Sequence, residues 1–250
     1  MQRYYSNVFW HFTGSPRGID WSKVHSPAEL LQIGSPAEPV TGTSIALQIL
    51  ATGKLLASCS EQVAEEHATD RFCCVTDIPI KDLPIHSRCY GKVAIGFKAS
   101  FIHKAFQPVM YVPSNRLPPG KVRTVPSKAY LDVVHDALYE RGDWDEAMHY
   151  EEMAMNHPDS ITTHLDLTKT GTQFLHFVKV TEFSPNPEHT FYSEREWRHL
   201  GDFHFPPHAV AAIVAPEAQL KMLKDYLAAD VRYATYSQLS VFSWELIENV

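Results

Sequence analysis

No stretch of this 250-residue chain approaches the roughly 20 consecutive apolar residues that a membrane-spanning helix requires, so no membrane partner is expected. CxxC spacing is also missing. The four cysteines are Cys59, Cys73, Cys74 and Cys89, which gives a structural zinc site little support. The adjacent pair Cys73-Cys74 lies in an apolar run and reads as buried thiol rather than disulfide. The opening MQRYYSNVFWHFTG lacks the long apolar segment and small-residue cleavage site of a signal peptide, so a cytoplasmic location is expected. An excess of positive charge is lacking too: 22 basic residues stand against 29 acidic ones, for a formal charge of −7. That balance argues against a protein whose main task is gripping nucleic acid along its phosphates, although it leaves room for a local basic pocket.

What is present is the composition of a globular protein. The chain is 44% hydrophobic and 20% charged, enough apolar material to bury a core and to exclude disorder of the whole. No repeat or low-complexity tract divides it. We expect one domain over residues 1–250, of α+β class, with mixed but mainly antiparallel sheets and flanking helices.

Local signals place the elements. Ser6 to Thr13 alternates as a strand, with Val8, Trp10 and Phe12 on one side and Phe9, His11 and Thr13 on the other. Ser26-Pro27-Ala28-Glu29 opens a helix, with Ser26 as its cap and Gly34 as its stop. A second helix is expected from about Thr43 to Gly53, and strands at Phe72–Val75, Lys92–Ala99 and Pro108–Val112. The clearest helical spacing is Lys128 to Arg141. Around it, an insertion or lid is expected at about 115–187, proline-rich at its start and acidic and His-rich further on. An element at Thr172–Phe183, strands near Phe191–Leu200 and at Val210–Ala215, a helix from Pro216 to about Leu227 and terminal strands complete the pattern.

Three stretches hold residue types that could carry chemistry. Trp10-His11-Phe12-Thr13 sets an imidazole in an aromatic strand, where it can be a satisfied core histidine or a ligand contact. The run from Cys73 to Val112 includes His86, Arg88, Tyr90 and Tyr111. Its tyrosines can simply pack in the core, but Arg88 amid apolar neighbours calls for an anionic partner. The third is Tyr192-Ser193-Glu194-Arg195-Glu196-Trp197-Arg198. As a strand it projects Glu194, Glu196 and Arg198 from one face, which makes either a solvent-facing charge ladder or a carboxylate pair with divergent proton affinities.

These stretches, in this order, resemble the AbiGi-type abortive-infection proteins of bacterial phage defence. The likeness rests on His11-Phe12, on Cys74-Val75-Thr76-Asp77-Ile78-Pro79, and on Ile85-His86 followed by Tyr90-Gly91. It continues with Gly96-Phe97, Pro108-Val109-Met110-Tyr111 and Tyr192-Ser193-Glu194-Arg195-Glu196-Trp197-Arg198. It covers residues 5 to 112 and 191 to 216, while Asn115 to Pro187 matches nothing placed. Val75-Thr76 stands where the pattern has Phe-Thr or Phe-Cys. The family is often labelled the antitoxin of a phage-resistance pair, which implies a cognate toxin or antitoxin as partner.

A more distant likeness is to ADP-ribosyltransferases, whose three-part site sets a histidine, an aromatic residue and Glu-x-Glu on successive strands. It implies NAD as substrate and a macromolecular acceptor, protein or nucleic acid. Glu196 would then steady the ribose cation and Glu194 would orient or deprotonate the acceptor. His11 with Thr13 would hold the NAD ribose or carboxamide, Tyr90 or Tyr111 would stack on nicotinamide, and Arg88 would meet the pyrophosphate. The alternative is a non-catalytic antitoxin that keeps the pocket as scaffold. A metal-dependent hydrolase using His149, His157 and His164 is the weakest alternative, because their spacing fits no compact ligand motif.

Overall fold

The computed structural model describes residues 6–16, 18–21, 24, 26–64, 67–113, 173–181, 183–229, 231–236 and 239–248. The chain divides into two compact units, one of residues 1–63, 68–117 and 177–250 and one of residues 64–67 and 118–176. Of the second, only residues 64, 67 and 173–176 are described. The helix expected at 128–141, the three central histidines and most of the expected insertion therefore lie outside the described residues.

In chain order the elements are β1 (Val8–Phe12), α1 (Pro27–Ile33), α2 (Pro39–Thr52), β2 (Lys54–Leu55), β3 (Gln62–Ala64), β4 (His67–Ala68), β5 (Phe72–Thr76), α3 (Leu83–Tyr90), β6 (Ala94–Lys98), α4 (Ala99–Ala105), β7 (Gln107–Pro108) and β8 (Met110–Pro113). After the undescribed segment come β9 (Val178–Thr181), β10 (Glu196–Leu200), β11 (Phe203–His204), β12 (Val210–Ala215), α5 (Glu217–Ala229), β13 (Ser240–Ser243) and α6 (Trp244–Glu248). Several boundaries follow from caps. Ser26 Oγ accepts the Glu29 N–H at 3.3 Å, Pro27 fills the first turn of α1, and the Gly34 N–H closes the helix on the Leu30 carbonyl. Gly53 ends α2 in the left-handed region at φ 60°.

Seven strands form the main sheet in the order β13-β12-β6-β1-β5-β10-β7, with every neighbouring pair antiparallel except β12–β13. One face, with Phe9, Val75, Ile95 and Phe97, packs on α2 and α5 through residues such as Leu50 and Leu223. The other, with Trp10, Phe12, Ala94 and Val214, packs on Leu83 of α3 and Trp244 of α6. This is the α+β architecture the sequence pattern implies. Gly96 is required where it stands: a Cβ there would lie 2.6 Å from Val8 Cγ1 and 2.8 Å from Trp10 Cζ3.

Strand β1 pairs with β6 in five registered positions but with β5 only at Trp10–Thr76. The centre of the sheet parts beyond that pair, and the candidate site lies at this parting.

Two departures from the sequence expectation bear directly on the site. Phe191–Glu194 is a 3-10 turn, and the strand begins only at Glu196. Thr190 Oγ1 caps the turn by accepting the Tyr192 N–H, and Arg195 takes a left-handed φ of 46°. Asp77 holds Arg195 there by a 2.9 Å ion pair and by donating its own N–H to the Arg195 carbonyl. Secondly, α3 follows the Asp77-Ile78-Pro79 turn, because Pro84 falls in a first helical turn, where its missing N–H costs nothing.

Candidate functional site

A cavity of about 420 Å³ opens where β1 and β5 part. Trp10, Phe12 and Trp21 supply aromatic wall, and one end is charged by Glu61, Lys179, Glu194 and Glu196. The volume falls within the range of small-molecule sites, and apolar walls with a few convergent polar groups are their usual lining. His11 spans the parted strands. Its Nδ1 lies 2.9 Å from the Cys74 carbonyl, which can only accept, so Nδ1 carries the proton and Nε2 is left as an acceptor. Burial lowers the His11 pKa, with the Cys74 carbonyl opposing in part, and the ring is neutral near pH 7.

The charged end is a buried ion network. Lys179 Nζ stands 3.2 Å from each of Glu61 Oε1, Glu194 Oε2 and Glu196 Oε2. Arg198, fully buried, donates through Nε to Glu196 Oε1 at 2.8 Å and through Nη2 to Glu196 Oε2 at 3.1 Å and to Glu61. Lys179 also sits 4.1 Å over the Phe191 ring and Arg198 4.2 Å over Phe72. Three carboxylates face two cations here, a formal balance of −1 (−3 + 2) when all five groups are ionised. Burial alone would raise the Glu196 carboxyl, but Arg198 and Lys179 outweigh it and hold it at about 2. For Glu194, burial wins: its pKa is raised, Lys179 pulling it back and Glu196 pushing it further up. Burial would lower Lys179, yet its three carboxylate neighbours lift it well above the ordinary lysine value.

Two tyrosines brace the carboxylates. The Tyr90 hydroxyl donates to Glu194 Oε1, and burial followed by the Glu194 charge pushes its own pKa well up. The Tyr111 hydroxyl accepts the Glu196 N–H at 2.8 Å. His86 stacks on Tyr90 at 4.4 Å and is driven to about 3 by burial and Lys179, so it stays uncharged.

Of the residues singled out by sequence, the fold brings His11, Thr13, Tyr90, Glu194 and Glu196 to one cavity. The Thr13 hydroxyl is already committed, donating to the Gly42 carbonyl at 2.8 Å. Tyr111 acts on the Glu196 backbone from behind the wall. Arg88 stands apart: it is exposed, pairs with Glu188 at 2.9 Å and lines a second cavity of about 290 Å³. Leu83 and Cys89 turn into the fold while Arg88 faces outward, so the anion it pairs with is a surface glutamate. Glu61 and Lys179 are not among the residues singled out by sequence, and His86 is named there without a role. A lysine between two valines in Val178-Lys179-Val180 was the one available signal, since a charge in a buried strand needs partners. Among the described residues, no group of three or more His, Cys, Asp and Glu side chains could hold a metal ion.

A family model described as "Putative abortive phage resistance protein AbiGi, antitoxin" matches residues 57–237, well over half of the chain. The chain belongs to the AbiGi family. No curated protein and no solved structure matches it. The AbiGi match spans the whole ion network, from Glu61 through Lys179 to Arg198, and it includes Tyr90, Glu194 and Glu196. His11 and Thr13, which close the cavity from β1, precede it. Among the described residues, no helix of this AbiGi protein is long and apolar enough to cross a membrane.

Proposed function

We propose that this AbiGi protein serves in abortive phage resistance as an antitoxin, binding a cognate toxin while its cavity is kept as structural scaffold. The observation that carries this reading is the state of Glu196. Both of its oxygens are taken up by Arg198, and one also by Lys179. A carboxylate steadying a ribose cation must present uncompensated negative charge to it. Here two buried cations within 3.2 Å, both shared with neighbouring carboxylates, already engage that charge, and in a low-dielectric interior they act more strongly than a solvated ligand could. The network therefore reads as a clamp on the folded chain, and the family description supports a binding role.

Co-expression with the product of the neighbouring gene tests this. A stable complex should purify, and His11→Ala, which alters the cavity but spares the ion network, should leave neutralisation intact. Failure of any neighbouring product to bind would defeat the reading.

A second reading rests on one specific observation, the convergence of His11, Tyr90, Glu194 and Glu196 on a single cavity. In it the cavity takes NAD, and ADP-ribose passes to a protein or nucleic-acid acceptor. Glu194, whose proton affinity is raised, would be the acid–base group, and Glu196 the fixed charge. Calorimetry with NAD and assay of released nicotinamide decide it: binding with turnover that Glu194→Gln removes supports it, whereas absence of both defeats it.

A further inference from the structure

We propose that Cys59 and Cys74 form a redox-active thiol pair in the cavity wall, which hydrogen peroxide converts to a disulfide. All four cysteines are free thiols, but their settings differ sharply. Cys73 and Cys89 are buried, and burial pushes their thiols up to about 12 and about 11. Cys73 faces the core and donates weakly to the carbonyls of His199 and Gly201. Cys59, Cys73 and Cys74 all line the 420 Å³ cavity, but of the three only Cys59 and Cys74 are partly accessible.

Backbone register brings the pair together. Cys59 and Phe72 exchange two backbone hydrogen bonds, of 3.2 and 2.9 Å, in an isolated antiparallel bridge. Cys74 lies two residues beyond Phe72 on β5, so its side chain leaves the same face of the strand. Diagonal neighbours of this kind have Cα atoms about 7–8 Å apart, slightly beyond the disulfide range of about 4.4–6.8 Å. Both side chains face the same cavity, and residues 56–60 have no regular structure apart from that one bridge. A small inward shift of this segment closes the gap.

The two thiols differ in the direction of their acidity. The neighbouring Cys74, followed against burial by Ser58, lowers the Cys59 thiol even though Glu61 and Glu196 oppose it. Cys59 and burial raise Cys74 well above its ordinary value. Cys59 is then the nucleophile. Its thiolate attacks one peroxide oxygen, the O–O bond breaks, hydroxide leaves and a sulfenic acid forms. Cys74 sulfur attacks that sulfur and expels hydroxide, which leaves as water with the Cys74 proton. Two thiols and one peroxide thus yield one disulfide and two waters. The cross-link ties the stretch carrying Glu61, two residues after Cys59, to β5.

The full chain, reduced and desalted, is treated with hydrogen peroxide, blocked with N-ethylmaleimide and digested with trypsin. Cleavage after Lys54, Arg71 and Lys81 sets Cys59 on residues 55–71 and Cys73 with Cys74 on 72–81. We expect these peptides to be joined, with fragment ions placing the bridge on Cys74. Cys74→Ser should abolish the bridge and Cys73→Ser should retain it. Equal alkylation of Cys59 before and after peroxide, a bridge on Cys73, or irreversible oxidation of Cys59 without a bridge would overturn the proposal. The wild-type fragment ions decide the matter even if a variant fails to fold.

Discussion

Glu194 and Glu196 share the Lys179 ammonium at 3.2 Å each, yet they depart in opposite directions from the ordinary glutamate pKa. The difference is Arg198, which grips Glu196 through two nitrogens, whereas Glu194 is held by Lys179 and Tyr90. One residue of left-handed backbone, Arg195, separates a carboxylate locked as an anion from one poised to hold a proton.

Lys179 should be the most costly of the network's side chains to remove. Lys179→Met keeps the volume but leaves Glu61, Glu194 and Glu196 clustered and short of a cation. Removing one partner of a buried ion pair costs about 3–5 kcal/mol, so a loss of that order is expected in urea unfolding at pH 7.

The two glutamates predict opposite pH dependences. Glu196, at about 2 against 4.5 for an ordinary glutamate, contributes stability that is present above 4.5 and lost as pH falls toward 2. Glu194 is raised, so the folded state holds its proton more tightly than the unfolded one. Its contribution is present below 4.5 and is lost as pH rises through the folded value. Chemical denaturation across pH 2 to 7 should show wild type weakening on the acid side. Glu194→Gln should remove the loss on the rising side. A wild-type profile flat below 4.5 would contradict the clamp on Glu196.

Gly96→Ala tests the sheet beneath the site. The added methyl meets Val8 at 2.6 Å and the Trp10 ring at 2.8 Å, both on the strand that carries His11. Overpacking of this kind costs about 1–3 kcal/mol. A drop in melting temperature is expected, and a neutral result would show that β1 shifts freely.

Arg88→Ala should be nearly silent. The Arg88–Glu188 pair is exposed on both sides, and surface pairs of this kind contribute about 0–1 kcal/mol. Ligand binding in the main cavity should likewise be unchanged, because Arg88 does not line it. Urea unfolding measures the first effect, and titration of the variant with NAD alongside wild type measures the second.

Local chemistry wrote much of this fold into the sequence. Strand β1 follows from alternation, α1 from Ser26, Pro27 and Gly34, and β12 from an unbroken apolar run buried on both faces. Alternation along β10 likewise sets Glu196 and Arg198 on one face, since side chains two apart on a strand always share one. Those properties depend on neighbours within a few residues. The meeting of Lys179 with Glu61 and Glu196, the parting of β1 from β5 at Trp10–Thr76, and the 3-10 turn that swings Glu194 inward were decided by tertiary structure. Each depends on residues far apart in the chain, and a buried charge acquires its meaning only from the groups that packing brings to it.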